Sequence, residues 1–111
     1  MQVILSSDHR GRSRVEDYIR ELHRSGDRSA VATLQRYIEL LEEDGPDLGM
    51  PQDRILDPKI GLYELRAGNH RIAYGVANGT IYLLEAWRKQ GRRAPVQSVD
   101  RARRTLLQLR E

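Results

Sequence analysis

The sequence predicts one α+β domain: a small antiparallel sheet, two N-terminal helices packed on one face, and a C-terminal helix. Three observations carry this. Two apolar stripes at helical spacing, Val15-Tyr18-Ile19-Leu22 and Val31-Leu34-Tyr37-Ile38-Leu41, occupy the first half. Three apolar segments joined by two-residue turns follow, and connections that short force consecutive antiparallel strands. A last stripe, Val99-Ala102-Leu106-Leu109, closes the chain. At 111 residues the whole length, 1–111, reads as a single domain with one modest core.

Residues 2–6 predict a short strand and Asp8 to Gly11 a turn. Ser13-Arg14-Val15-Glu16 matches a capping box, in which hydroxyl and carboxylate satisfy free N–H groups at a helix start. A helix over 13–24 follows, broken by Ser25-Gly26-Asp27. Ser29 is the expected N-cap of the second helix. Gly45-Pro46 ends that helix after the acidic run Glu42-Glu43-Asp44, which lies at the unfavourable end of the helix dipole. A proline-bearing loop spans 45–60, within which Arg54-Ile55-Leu56 predicts a short edge strand. Strands are expected at 61–67, 70–77 and 80–88. Gly68-Asn69 and Asn78-Gly79 join them; the latter is a strong hairpin signal because both residues tolerate positive φ. Pro95 precedes the last helix. With helices on one face of the sheet, the other face is expected to be free to bind.

The formal charge of +3 hides an asymmetry. Residues 1–65 carry 9 Lys/Arg against 13 Asp/Glu, a balance of −4; residues 66–111 carry 10 against 3, a balance of +7. A polyanion is drawn to the second part, and counterion release strengthens such contacts. A solvated basic face, or a dock for an acidic protein, fits the same charges. No cysteine is present, which excludes disulfides and thiolate metal sites and fits a reducing cytosol. No apolar run is long enough for a membrane span, and Met1 to Ser6 is too short for a signal peptide. A cytoplasmic protein with no membrane association is expected.

No glycine pattern matches a phosphate-binding loop or a dinucleotide fingerprint, so no cofactor is expected. His9, His23 and His70 are scattered, and no metal site is expected from them. Any chemistry must come from Arg, Lys, His and Tyr. RNA cleavage fits that inventory, because a 2′-hydroxyl attacks the adjacent phosphate once a base takes its proton. Cations then stabilise the charge on the phosphorane oxygens, a task that suits the guanidinium fork. Arg66 and Arg71 flank the first turn, and the third strand runs into Trp87-Arg88-Lys89-Gln90-Gly91-Arg92-Arg93. Trp87 offers a ring for stacking a base. Each residue has a structural alternative. Arg66 could pair with Glu64 or Glu85, and Arg71 could be a surface charge. Arg88 and Lys89 could protect an edge strand. Trp87, Tyr63, Tyr74 and Tyr82 could be packing residues, and His70 a turn residue rather than a base.

Leu62-Tyr63-Glu64-Leu65-Arg66, then His70-Arg71-Ile72, then Trp87-Arg88-Lys89 with a basic loop to Pro95, resembles the RelE/ParE toxin superfamily, and within it the phage-derived HigB-like branch. Asp100-Arg101-Ala102-Arg103-Arg104 is similar to the start of that branch's last helix. The resemblance implies a RelE-like fold and a type II toxin that cleaves mRNA on the ribosome. It also implies a cognate antitoxin, a small helix-turn-helix protein, through which alone operator DNA would be contacted. Arg66, Arg71 and Lys89 take the positions of the family's catalytic cations, with His70 as a further candidate for the base. Trp87, Arg88, Gln90, Arg92 and Arg93 would bind RNA. Gln90 replaces a lysine, His70 an aromatic residue, and Gly91 and Ala94 the loop threonines of the branch. Two other readings stay open: a ParE-like inhibitor of a protein such as gyrase, and an inactive basic binding module.

Overall fold

A computed structural model describes residues 1–111. The elements in chain order are β1 (Val3–Leu5), α1 (Arg14–Arg24), α2 (Arg28–Asp44), β2 (Asp53–Asp57), β3 (Leu62–Ala67), β4 (His70–Ala77), β5 (Thr80–Arg88) and α3 (Val96–Leu109). The sheet runs β1-β5-β4-β3-β2, and only the β1–β5 pair is parallel. That exception follows from connectivity, since the whole chain between β1 and β5 returns β5 to lie beside β1 in the same direction.

Local chemistry places most boundaries where the sequence puts them. Ser13 Oγ accepts from Glu16 N at 3.2 Å and starts α1. The Glu16 carboxylate pairs with Arg20 at 2.6 Å instead of completing the capping box. The second helix starts earlier than expected: Asp27, not Ser29, is the N-cap, and its Oδ1 accepts from Ala30 N at 3.1 Å. Gly26 at φ 78° turns the chain sharply enough that the next side chain already faces the helix start. A carboxylate there also complements the helix dipole.

Two apolar clusters lie on opposite faces of the sheet. Val15, Leu22, Val31, Leu34 and Leu41 of α1 and α2 pack on Leu65, Ile72, Tyr74, Ile81 and Leu83. Ala102 and Leu106 of α3 pack on Leu62, Ala73, Ala77, Leu84 and Trp87. The second face is therefore not free, as the sequence led us to expect, because α3 covers much of it. The small residues Ala73, Gly75 and Ala77 share this face and are the seat of that helix. A Cβ at Gly75 would stand 2.5 Å from Leu106 Cδ2, so only glycine admits the helix at this distance. Burying Leu106 completely is worth roughly 1.5–3 kcal/mol.

A β-bulge changes the third-strand alternation. Ala73 pairs with Glu85 but Tyr74 with Leu83, leaving Leu84 as the extra residue. Leu84 consequently packs under α3 with Trp87, not on the face of Ala86 and Arg88. No helix is long and apolar enough to cross a membrane.

Candidate nucleic-acid interface

Strand register assembles the site. Arg66 lies opposite Arg71, and Arg71 opposite Trp87; one step along, Glu64 lies opposite Ala73, and Ala73 opposite Glu85. The pleat points both rows to the α3 side. Beyond the end of α3's footprint a cleft of about 390 Å³ opens, walled by the loop that follows β5. Six cations line it: Arg54, Arg66, Arg71, Lys89, Arg92 and Arg93. Glu64 is the single carboxylate, and Trp87, Gln90 and Gly91 complete the wall.

The cations differ in what they are free to do. Arg71 forms the floor and is only 6% exposed. Its Nη1 donates to Gly68 O at 2.7 Å and to His70 O at 3.0 Å, and its Nε lies 3.9 Å from Glu64 Oε1. Burial pushes its pKa down, against the pull of Glu64, but a guanidinium stays charged. It is therefore a fixed positive charge beneath the cleft rather than a mobile clamp. Arg54 Nε donates to Glu64 Oε1 at 2.8 Å, and Glu64 is 2% exposed. Arg66 pairs with neither Glu64 nor Glu85; its Nη1 approaches only the Met50 thioether sulfur at 3.8 Å, a weak acceptor. Lys89, Arg92 and Arg93 are exposed and have no carboxylate partner.

Two predicted site residues lie elsewhere. His70 pairs with Arg88 on the opposite pleat, beside α1, and is 5% exposed. Its Nδ1 shares a 2.7 Å hydrogen bond with the Tyr18 hydroxyl, and the two rings meet edge to face. Burial first, and then the Arg88 charge, hold its pKa below the usual imidazole range. His70 is thus a packed, neutral ring outside the cleft and no candidate for its base. Arg88 follows it to that side and does not line the cleft, because alternation in β5 separates it from Trp87 and Lys89. Trp87 is 8% exposed and packs under α3, so little of its ring is available to stack a base.

Arg54 and Glu64 are cleft residues the sequence reading passed over as functional. A larger groove of about 680 Å³ runs between the β1–α1 loop and α3, but two of its three arginines are ion-paired and only Arg10 has no carboxylate partner. Arg12 pairs with Asp17 at 3.5 Å and Arg14 with Glu85 at 3.4 Å. Glu85 is also held by Arg101 at 3.1 Å. The smaller cleft alone presents a group of uncompensated cations.

Residues 17–107 match the family described as phage-derived protein Gp49-like (DUF891), a span that includes every cleft residue. Among solved structures, a chain of the YoeB–YefM complex from Staphylococcus aureus superposes with a TM-score of 0.58 at 17% identity. The alignment covers 81% of this chain and 99% of that one, and it establishes a shared fold. No curated protein matches the sequence.

Proposed function

The chain belongs to the phage-derived Gp49-like family, which bears out its resemblance to the RelE/ParE superfamily, and from that premise we propose that it is the toxin of a type II toxin–antitoxin pair and cleaves mRNA on the ribosome. The observation that carries this reading is the group of four cations without carboxylate partners, Arg66, Lys89, Arg92 and Arg93, ringing a cleft whose floor is a fifth, fixed charge. A ribose-phosphate chain supplies the missing anions.

In this reading Arg66 forks the scissile phosphate from the open side, and Arg71 stabilises its charge from beneath. The 2′-oxygen bonds to phosphorus, the bond to the 5′-oxygen breaks, and a 2′,3′-cyclic phosphate results. The 2′-hydroxyl proton must leave and the 5′-oxygen must gain one. Lys89 is the cleft group suited to proton transfer, since the arginines around it stay protonated and cannot exchange a proton. Gln90, Arg92 and Arg93 hold flanking RNA. The antitoxin, like the partner in the YoeB–YefM complex, would bind the toxin and silence it.

Expression of the wild type in bacteria should stop translation and leave mRNA cut on translating ribosomes, seen as new 5′ ends by primer extension. A double Arg66→Gln, Lys89→Gln variant should fold with an unchanged melting temperature and do neither. If the variant arrests growth as the wild type does, the cleft is not the effector. Replication halting first with intact mRNA would instead assign the chain to gyrase-type inhibition.

A further inference from the structure

Residues 90–94 bring Gln90, Arg92 and Arg93 to the cleft, yet their backbone makes no backbone hydrogen bond to the rest of the protein. Before the loop, Lys89 N donates to Asn69 O at 2.8 Å; after it, Val99 N donates to Pro95 O at 3.0 Å. Between these points one hydrogen bond ties the loop down, from Arg54 Nη2 to Arg92 O at 3.1 Å.

The other edge of the same guanidinium is already committed. Arg54 Nε donates to Glu64 Oε1 at 2.8 Å, and Glu64 sits in the sheet, directly opposite Arg54 in register. A carboxylate this buried holds its partner firmly, because leaving it unpaired is strongly unfavourable. The guanidinium is a rigid planar fork, so fixing Nε also fixes where Nη2 points. The 3.9 Å approach of Arg71 Nε to the same oxygen joins the cleft floor to this chain of contacts.

We infer that Arg54 is a positioning residue. Glu64 aims its guanidinium, and the guanidinium holds the basic loop so that Arg92 and Arg93 stand over the cleft. This rests on the nucleic-acid reading of the cleft and adds to it a residue that sets the geometry of binding. A purely structural Arg54 would stabilise the edge strand and leave RNA affinity to follow fold stability.

Arg54→Lys separates the two. An ammonium can neutralise Glu64 but has no second, fixed arm to reach Arg92 O. The variant should unfold close to the wild-type temperature, while the ¹H–¹⁵N heteronuclear NOEs of Gly91, Arg92 and Arg93 fall. Its affinity for a single-stranded RNA oligonucleotide should weaken about tenfold with a shallower salt dependence, as loop cations leave the phosphates. Arg54→Ala should be less stable than Arg54→Lys, with the loop NOEs falling to the same extent in both. Unchanged loop NOEs in Arg54→Lys, or loop NOEs that fall only in the less stable Arg54→Ala, would overturn the inference. A wild type that binds no RNA refutes the reading of the cleft; the NOEs, measured without RNA, decide the anchoring separately.

Discussion

Removing one free cation should change how RNA binding responds to salt by a calculable amount. Arg66 is the cleanest perturbation, because it has no ion pair to break and only a 3.8 Å approach to Met50 sulfur to lose. Four cations without carboxylate partners ring the cleft, and each phosphate neutralised on a single strand contributes a slope of about −0.7 to log K against log salt, so full engagement gives roughly −2.8. Between 50 and 200 mM salt the wild type should lose affinity by about 50-fold, and an Arg66→Gln variant, with a slope of roughly −2.1, by about 20-fold. Fluorescence anisotropy of a labelled RNA oligonucleotide across that salt range reads both slopes. Arg36→Gln, on the exposed face of α2, is the control and should keep the wild-type slope. Equal slopes for Arg66→Gln and wild type, or equal loss from Arg36→Gln, would show that RNA follows net charge and not this cleft.

The remaining predictions concern packing, pH and anions. Gly75→Ala places a methyl 2.5 Å from Leu106 Cδ2 and should destabilise by about 1–3 kcal/mol, read as a lowered melting temperature. His70 has a folded pKa below its unfolded value of about 6.5, so its contribution is present above that pH and lost as pH falls toward the folded pKa. The urea midpoint of the wild type should therefore drop more between pH 7.5 and 5.5 than that of His70→Asn, while the variant's RNA affinity at pH 7.5 stays unchanged. Inorganic phosphate at constant ionic strength should raise the melting temperature more than chloride does, and tenfold excess over its dissociation constant corresponds to about 1.4 kcal/mol. In Arg66→Gln only the general salting effect of phosphate should remain.

What could be read from the sequence was what local chemistry decides. Asn78 at φ 53° and Gly79 at φ 75° make the turn that their side chains predict, and Gly68 at φ 63° opens the other. Once those turns are set, the facing of Arg66 and Arg71 follows by counting residues. The side that α3 covers does not follow, because alternation sorts side chains into faces without saying what packs on them. The Leu84 bulge has no composition signal, and it alone puts that residue on the α3 face beside Trp87. His70 is a candidate base by its chemistry, but alternation along β4 turns it away from Arg71, and it meets Tyr18. Arg54 and Glu64 are ten residues apart across a loop, but opposite charges on adjacent strands are a favoured cross-strand pair. Given β2 as the partner of β3, that pair was the signal available.

The sheet supplies an independent reason to place an anion in the cleft. Cross-strand neighbours of like charge destabilise a sheet, and Arg66 faces Arg71 directly. Burial adds to the difficulty, since Arg71 is nearly sealed from water and Glu64, 3.9 Å away, is already engaged by Arg54 at 2.8 Å. One step along, the same strands avoid any such conflict: Glu64 faces Arg54 on one side and Ala73 on the other. Within these strands the conflict is thus confined to the row at the cleft mouth, in a domain whose turns and cores otherwise agree with its fold. Local disagreement of that kind concentrates where function requires it. On the function proposed above, a phosphate between Arg66 and Arg71 would offset their repulsion, and the row that is unfavourable within the sheet would be the one that binds.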